Sequence, residues 1–245
     1  MTPSLWVIIP AAGVGQRMQA DCPKQYLSLA GQSILDRTIA IFMSHPLIAG
    51  VAVGISKEDS YWSESKWYQH SSVYSFSGGK ERSDTVQKGL QWLLDKTGIK
   101  GQEVLVHDAA RPLLTQSALS QIILHDSPQG ALLAMPARDT VKLQQAGCQT
   151  VEKTLDRNLI WLAQTPQKFS LGQLLAALEK AKIDNVAITD ECSAMELTGC
   201  HPDFLIGESS NIKVTLPEDL LIAEALFSYL LHSDLNEDIN SEKQE

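Results

Sequence analysis

The sequence LWVIIPAAGVGQRM, residues 5–18, places a glycine-rich loop directly after a continuous apolar run. The run Leu5–Ile9 has no polar alternation, which is typical of a strand that is buried on both faces of a parallel sheet. Alanine and glycine in the loop let an anion approach the backbone N–H groups, because no large side chain stands in the way. Arg17 and Lys24 follow the glycines. Backbone donors followed by two cations predict a triphosphate site.

Two common phosphate-binding motifs are excluded by the spelling of this loop. A Walker A motif needs G-x-x-x-x-G-K-S/T, which is absent here. A dinucleotide fingerprint needs Gly or Ala three residues after its second glycine, where this chain has Met18. The alternative is an ordinary glycine-rich turn with two solvated cations, which the preceding strand and the positions of Arg17 and Lys24 disfavour.

The composition indicates a globular protein without a general anionic partner. The chain has 245 residues, of which 44% are hydrophobic and 20% charged, enough for one large α/β domain or two small ones. A net charge of −9 argues against nucleic-acid or anionic-membrane surfaces. The first ten residues lack the pattern of a signal peptide, and no apolar run is long enough to span a membrane. Four cysteines without CxxC pairs or zinc spacing predict free thiols and a cytoplasmic location: Cys22, Cys148, Cys192 and Cys200.

Predicted strands and helices alternate along most of the chain. Strands are expected at 48–55, 73–76, 103–107, 130–135, 203–207 and 211–214, and helices at 33–42, after Ser83, at 115–124, after Ser170, at 189–197 and from Pro217. This alternation predicts a mostly parallel sheet covered on both faces, with ligands at the carboxyl ends of its strands. We expect a single domain over 1–232 and a frayed acidic tail over 233–245.

The alternation breaks at residues 137–155, which predict a β-hairpin with a turn near Ala146-Gly147. The hairpin is too polar for a core, and a two-stranded hairpin is unstable unless something covers it. We therefore expect an arm at about 137–157 that a partner chain covers.

Asp108 is the candidate metal ligand, because it follows the predicted strand 103–107 and one or two carboxylates suffice to hold Mg²⁺ against a triphosphate. The alternative is an aspartate that caps a helix or pairs with Arg111. The loop Gly78–Thr85 could close over a base or ribose, and the alternative is a surface loop. None of the six histidines is spaced as a metal pair.

Two further cations are candidate phosphate ligands. Arg157 stands at the base of the hairpin, and its planar guanidinium matches phosphate oxygens bidentately. Lys213 has apolar neighbours and is expected to point from a strand end into the site. The alternatives are a solvated arginine and a snorkelling edge lysine. Thr165–Gln167 is expected to open the next helix region, and Thr189–Glu191 to cap a helix.

Taken in order, the motifs of residues 3–231 resemble those of the 2-C-methyl-D-erythritol 4-phosphate cytidylyltransferases of the non-mevalonate isoprenoid pathway. The motifs are Pro10–Met18, Pro23–Tyr26, His107–Pro112, Asp139–Lys142, Thr165–Gln167, Thr189–Glu191 and Asn211–Thr215. The resemblance implies a homodimeric, three-layer, Rossmann-like α/β nucleotidyltransferase whose hairpin arm embraces its partner. It implies transfer of CMP from CTP to methylerythritol phosphate, with release of pyrophosphate and dependence on Mg²⁺ or another divalent cation.

The resemblance also implies roles for individual residues. Arg17 and Lys24 would stabilise the transition state. The acceptor would be positioned by Arg111, Lys213 and, from the partner's arm, Thr140 and Arg157. The CTP site would be lined by Pro10, Ala11, Ala12, Gly13, Gly15, Gly79, Thr85, Asp108 and Ala109. The family has an acidic residue close before Asn-Ile-Lys where this chain has Ser209 and Ser210, so Asp108 alone is named as a metal ligand.

Two other functions remain open at this point. A cytidylyltransferase that uses ribitol 5-phosphate would share the CTP residues and differ in its acceptor pocket. A nucleotide-binding regulatory module without turnover is disfavoured by Arg17 and Lys24, because a sensor needs affinity but no transition-state charge.

Overall fold

The computed structural model describes residues 4–13, 18 and 22–241, and it describes side chains as far as Leu231. The strands are β1 (Leu5–Pro10), β2 (Ser28–Leu29), β3 (Gln32–Ser33), β4 (Ile48–Ile55), β5 (Val73–Ser77), β6 (Glu103–Val106), β7 (Ala131–Pro136), β8 (Lys142–Gln144), β9 (Val151–Thr154), β10 (Trp161–Ser170) and β11 (Asp203–Ile206). The helices are α1 (Ile34–Met43), α2 (Arg82–Thr97), α3 (Gln116–Leu124), α4 (Leu171–Ile183), α5 (Glu191–Glu196) and α6 (Pro217–Ser241).

Seven of the described strands form one large, mostly parallel sheet in the order β11-β7-β10-β6-β1-β4-β5, and β2 pairs with β3 in a separate two-stranded sheet. β1 pairs in parallel with both β4 and β6. The chain runs outward from β1 to β5 on one side and resumes at β6 on the other, so the strand order reverses beside β1. Ligands of open α/β sheets bind outside the carboxyl ends of the strands at such a reversal.

Both faces of the sheet are covered by helices, as predicted. Val7 and Ile9 of β1 pack into a core shared with α1 and α3. Ile8 points to the opposite face and packs into a core shared with α2, α4 and α5. Successive side chains of a strand point to opposite faces, so a strand between two helix layers must be apolar at every position. This explains the unbroken apolar run of Leu5–Ile9.

β10 was not predicted, and the expectation that Thr165–Gln167 opens a helix region is wrong. The strand lies between β6 and β7 and is antiparallel to both. Its ladder with β7 is interrupted between Ala163 and Gln167, and the Thr165-Pro166 peptide bond is cis. Proline argues against a central strand because it cannot donate to the ladder. The interruption of the ladder accommodates Pro166. No local sequence pattern predicts this interruption.

Three helix boundaries differ from the prediction. Glu81, rather than Ser83, caps α2, and it forms a capping box with Asp84. Asp190 caps α5, which is shorter than the predicted 189–197. Helix α6 continues to Ser241, so the frayed tail expected from residue 233 is not found over 233–241.

The segment predicted as a strand at 211–214 forms no strand in the structure. Backbone N–H groups at its two ends form separate hydrogen bonds, from Asn211 N to Glu208 O at 3.1 Å and from Val214 N to Ala110 O at 2.8 Å. The second bond ties the segment to the loop after β6. The segment therefore lies against the strand ends without joining the sheet.

β8 and β9 form the predicted hairpin as a separate two-stranded sheet, and all residues of both strands are exposed. The side chains of Leu143 and Val151 are 38% and 61% exposed. The arm therefore buries little apolar surface within its own chain. The four cysteines are free, as predicted, and no helix among the described residues is long and apolar enough to cross a membrane.

Gly130, which precedes β7, is expected to tolerate no side chain. Its φ is +86°, and a Cβ would overlap the Phe169 ring. We expect Gly130→Ala to lower the free energy of unfolding by about 2–4 kcal/mol, from left-handed strain and overpacking together. Gly147 in the hairpin turn is the control, since its φ is +75° but nothing lies within 4 Å of the added Cβ. Equal losses for Gly130→Ala and Gly147→Ala in urea unfolding would contradict the packing argument.

Candidate active site

A cavity of about 280 Å³ opens where β1 and β6 end. Most of the predicted nucleotide-binding residues line it: Pro10, Ala11, Ala12, Gly13, Gly79, Thr85, Asp108 and Ala109. Lys24 and Lys213 line it as well. The structure thus brings the glycine-rich loop, the loop before α2 and two lysines around one space.

A second cavity, of about 240 Å³, adjoins the first. Arg82, Asp108 and Lys213 line both cavities. Arg111, a predicted acceptor ligand, lines the second one together with Thr165. The two cavities therefore meet at a cluster of charged side chains.

Two of the described site residues that were predicted, Thr140 and Arg157, do not line these cavities. Thr140 and Arg157 are exposed, and Arg157 Nη1 donates to the carbonyl oxygen of Arg138 at 2.7 Å. Both lie at the ends of the arm, away from the cluster in their own chain. Gly15 and Arg17 lie outside the described residues.

The loop before α2 packs so closely against the glycine-rich loop and α2 that there is no room for side chains at Gly78 and Gly79. A Cβ on Gly78 would collide with Ala12 of the glycine-rich loop, and one on Gly79 would overlap Asp84 of α2. The backbone N–H of Gly79 donates to Thr85 Oγ1 at 2.9 Å. The absence of side chains lets this loop form one wall of the first cavity.

Lys24 begins a short 3₁₀ turn, Lys24–Tyr26. Its ammonium donates to the carbonyl oxygen of Val214 at 3.0 Å, beside Lys213. The next residue, Gln25, is buried and donates from Nε2 to the carbonyl oxygen of Ala11 at 2.8 Å. The turn is therefore tied to the glycine-rich loop and to the segment that carries the second lysine.

Asp108 is surrounded by cations. Arg82 Nε lies 2.8 Å from its Oδ1, Lys213 Nζ lies 2.7 Å from its Oδ2, and Arg111 Nε lies 3.7 Å from Oδ2. Burial would raise the pKa of Asp108, but Arg82 and Lys213 hold it well below its ordinary value. The pairing with Arg111 that the sequence offered as an alternative is thus present, although it is the longest of the three contacts.

Arg82 and Glu191 are functional candidates that the sequence did not identify. Arg82 Nη1 and Nη2 contact the two oxygens of Glu191 at 2.6 and 2.9 Å, and Glu191 is 1% exposed. Burial lowers the pKa of Arg82, but the Glu191 and Asp108 carboxylates outweigh it and raise the pKa above its ordinary value. The position of Arg82 in the glycine-containing loop 78–85 was the available signal, but the sequence does not reveal that Glu191 is its partner.

A neutral histidine supports the backbone beneath Asp108. Burial lowers the pKa of His107 to about 4, so the ring is neutral at neutral pH. Its Nε2 lies 3.0 Å from the carbonyl oxygen of Arg111, which can only accept, so Nδ1 accepts from Thr165 Oγ1 at 3.0 Å. Thr165 Oγ1 in turn accepts from Asp108 N at 3.1 Å. Thr165, in the middle of β10, therefore fixes the backbone of Asp108 just after the end of β6.

The donor set fits a divalent cation that takes most of its ligands from a bound phosphate. Residues 4–13, 18 and 22–241 contain no group of three or more His, Cys, Asp or Glu side chains that could hold a metal. Asp108 is ionised, and its two oxygens offer about four lone-pair sites, of which Arg82 and Lys213 use two. Glu208, which precedes Ser209, accepts from Thr115 Oγ1 at 2.9 Å and does not line either cavity.

Comparison with protein families gives one clear match. Residues 5–229 match the family model of 2-C-methyl-D-erythritol 4-phosphate cytidylyltransferase. A protein of that name from Pseudomonas paraeruginosa is 46% identical over 229 residues, which are 93% of this chain and 97% of the relative. One from Pseudomonas putida is 47% identical over 220 residues, covering 89% and 93% of the two chains.

Solved structures agree with the sequence relatives. The structure of 2-C-methyl-D-erythritol 4-phosphate cytidylyltransferase from Francisella tularensis is 36% identical with a TM-score of 0.78, and the match covers 91% of this chain and 99% of that one. A crystal structure of a 4-diphosphocytidyl-2C-methyl-D-erythritol synthase is 33% identical with a TM-score of 0.78, and the match covers 93% and 99%.

The buried pair between Arg82 and Glu191 is expected to matter far more for stability than an exposed pair nearby. Glu191→Ala leaves a largely buried guanidinium without its bidentate partner, and we expect a loss of about 3–5 kcal/mol in the free energy of unfolding. Lys182→Ala is the control, since Lys182 is 68% exposed and pairs with Asp84 at 3.1 Å. We expect it to cost less than ~1 kcal/mol. Similar small losses for both variants in urea unfolding would refute the assigned importance of the pair.

Proposed function

We propose that this chain, which belongs to the 2-C-methyl-D-erythritol 4-phosphate cytidylyltransferase family, transfers the cytidylyl group of CTP to 2-C-methyl-D-erythritol 4-phosphate. The products are 4-diphosphocytidyl-2-C-methyl-D-erythritol and pyrophosphate, and the reaction belongs to isoprenoid precursor biosynthesis. The observation that carries the proposal is the pair of cavities that meet at Arg82, Asp108 and Lys213. A reaction between two phosphorylated molecules needs two adjoining sites with cations between them.

CTP is assigned to the first cavity. Ala11–Gly13 and Gly79 line this cavity without bulky side chains, which suits a triphosphate and a base held by backbone contacts. Lys24 lies in the same cavity and contributes a positive charge on the triphosphate side. Arg17 is assigned the same role from the family resemblance.

Methylerythritol phosphate is assigned to the second cavity. Arg111 and Lys213 line it, and both can neutralise the acceptor phosphate. Burial lowers the pKa of the Arg111 guanidinium, while Asp108 opposes that shift. The acceptor phosphate would then lie next to the cluster that separates it from the α-phosphate of CTP.

The chemistry needs alignment and charge neutralisation more than a protein nucleophile. An oxygen of the acceptor phosphate attacks the α-phosphorus of CTP and forms a new P–O bond. The bond from the α-phosphorus to the bridging oxygen breaks, and its electron pair leaves with pyrophosphate. Both reactants are anions, so cations held in place lower the barrier by opposing their repulsion and the charge that develops on the leaving group.

Mg²⁺ fits this site as a partner of the triphosphate. Asp108 would hold it as one carboxylate ligand, and the phosphate oxygens of CTP would supply others. When bound, the ion neutralises phosphate charge and orients the triphosphate. Lys24 and Lys213 act on the same anions from the protein side.

A homodimer is proposed to complete the acceptor site. The arm exposes Leu143 and Val151, and an isolated hairpin of this kind is unstable without a cover. Thr140 and Arg157 lie at its ends and face neither cavity of their own chain. If the partner's arm reaches across, these two residues supply a hydroxyl and a guanidinium to the acceptor phosphate.

Pyrophosphate release with CTP and a panel of sugar-alcohol phosphates tests the acceptor assignment. We expect the highest kcat/KM with methylerythritol phosphate, because most of the chain resembles enzymes named for that acceptor. Omission of divalent cation is expected to abolish release. A higher kcat/KM with ribitol 5-phosphate would favour the rival cytidylyltransferase, and CTP binding without turnover on any acceptor would favour a regulatory module.

Mixing two inactive variants tests the shared site. Lys24→Ala and Arg157→Ala chains that exchange freely should give about half mixed dimers, each with one site that has both residues intact. We expect activity to recover to roughly a quarter of wild type, because one site in four is whole. If both residues served a site from one chain, no mixed dimer could hold a whole site. No recovery, with exchange verified by mass, would exclude the shared arrangement.

A further inference from the structure

The segment between β4 and β5, residues 56–72, has no role in the chemistry described so far. It contains one short 3₁₀ turn, Trp62–Glu64, and Trp62 is buried in the core beside α1. Two contacts anchor the segment on Asp36 of α1. Ser65 Oγ donates to Asp36 Oδ1 at 2.5 Å, and Trp67 Nε1 donates to the Asp36 carbonyl oxygen at 3.0 Å.

From this anchored position the segment contacts the turn that carries Lys24. The hydroxyl of Tyr26 donates to Asp59 Oδ2 at 2.9 Å. The rings of Tyr26 and Tyr61 stack with centroids 5.2 Å apart and an interplanar angle of 23°. Burial and the Asp59 carboxylate both raise the pKa of Tyr26, so its hydroxyl remains a donor at neutral pH.

Asp59 is itself held in one orientation. Its Oδ1 accepts from the backbone N–H groups of Tyr61 and Trp62 at 3.0 and 2.9 Å, which leaves Oδ2 directed at Tyr26. An acceptor with two fixed backbone donors cannot follow the tyrosine if the turn shifts. The contact therefore restrains the turn rather than adapting to it.

Tyr26 is only two residues from Lys24, and both belong to one hydrogen-bonded backbone turn. Tyr26 N donates to Pro23 O at 2.8 Å, and Leu27 N donates to Lys24 O at 3.2 Å. On its other side the turn is tied by Gln25 to the carbonyl oxygen of Ala11. Lys24 thus lies on a turn clamped between the glycine-rich loop and the 56–72 segment.

We propose that Asp59 and Tyr26 form a brace that positions Lys24, with Tyr26 as a positioning residue for cytidylyl transfer. The inference rests on the proposed function for its catalytic consequence and on the contacts above for its geometry. A charge that stabilises a transition state must be held within about 0.5 Å of its productive place, and misplacement by about 1 Å can cost two orders of magnitude in rate. The brace supplies that accuracy from a segment outside the cavity.

Tyr26→Phe removes the hydroxyl and keeps the ring that stacks on Tyr61. We expect kcat to fall about tenfold while KM for CTP changes less than about twofold, because the misplaced charge acts mainly on the transition state. The control is Tyr68→Phe in the same segment, where Tyr68 is 47% exposed and meets Trp62 edge-on. It should leave both constants unchanged. A wild-type kcat for Tyr26→Phe would overturn the proposal.

A double-mutant cycle separates positioning of Lys24 from general damage. Lys24→Ala alone is expected to lower kcat by about 100-fold, the scale of one lost charge-stabilising donor. In that background Tyr26→Phe should cost less than about twofold more, since the side chain it positions is gone. In a Lys213→Ala background it should again cost about tenfold. An equal further loss in both backgrounds would show that Tyr26 acts on the site as a whole and overturn the brace.

A readout that needs no turnover keeps this inference distinct from the proposed function. Brief acetylation followed by mass spectrometry measures the reactivity of Lys24, whose ammonium is held against Val214. Tyr26→Phe should raise the labelling rate of Lys24 by about threefold and Tyr68→Phe should not. Unchanged labelling overturns the brace even if the wild-type enzyme is active. Raised labelling in a protein without cytidylyl transfer would keep the brace and remove the proposed reaction.

Discussion

The carboxylate of Asp108 is the point on which the arrangement of the site depends. It is buried at the end of β6, and a buried charge is costly unless it is paired. Arg82 reaches it from the start of α2, Lys213 from the segment after β11, and Arg111 from the loop after β6. Parts of the chain that are far apart in sequence are therefore fixed relative to one another by one electrostatic requirement.

The same requirement prepares the site for anions. Glu191 accepts hydrogen bonds from Nη1 and Nη2 of Arg82. Three cations, Arg82, Arg111 and Lys213, are therefore grouped around two carboxylates before any substrate enters. Cations that are already oriented need no reorganisation when a phosphate arrives, which is the main advantage of a folded site over water. A chain with a net charge of −9 can thus present a local surface suited to two phosphorylated reactants.

Local sequence patterns predicted those elements of the fold whose formation depends on neighbouring residues in the chain. The apolar run Leu5–Ile9 is recognisable from the sequence alone, and the structure confirms the sheet and the hairpin. It also places the glycine-rich loop beside the first cavity. β10 was missed because Pro166 contradicts the usual rule for a central strand. The partnership of Arg82 with Glu191 spans 109 positions, so only the folded chain reveals it. The 211–214 segment is apolar enough for a strand but is held by isolated bonds instead.

The place of β10 in the sheet has a consequence for the growing chain. β7 pairs with β10 and β11, and both follow it in sequence. While the ribosome adds the residues between them, β7 emerges as an apolar strand with neither edge covered. Unpaired strand edges are where nascent proteins associate wrongly. The arm lengthens the stretch of chain that must be synthesised before β10 can pair with β7. During that time, low concentration or chaperones must prevent the exposed edges of β7 from associating with other chains.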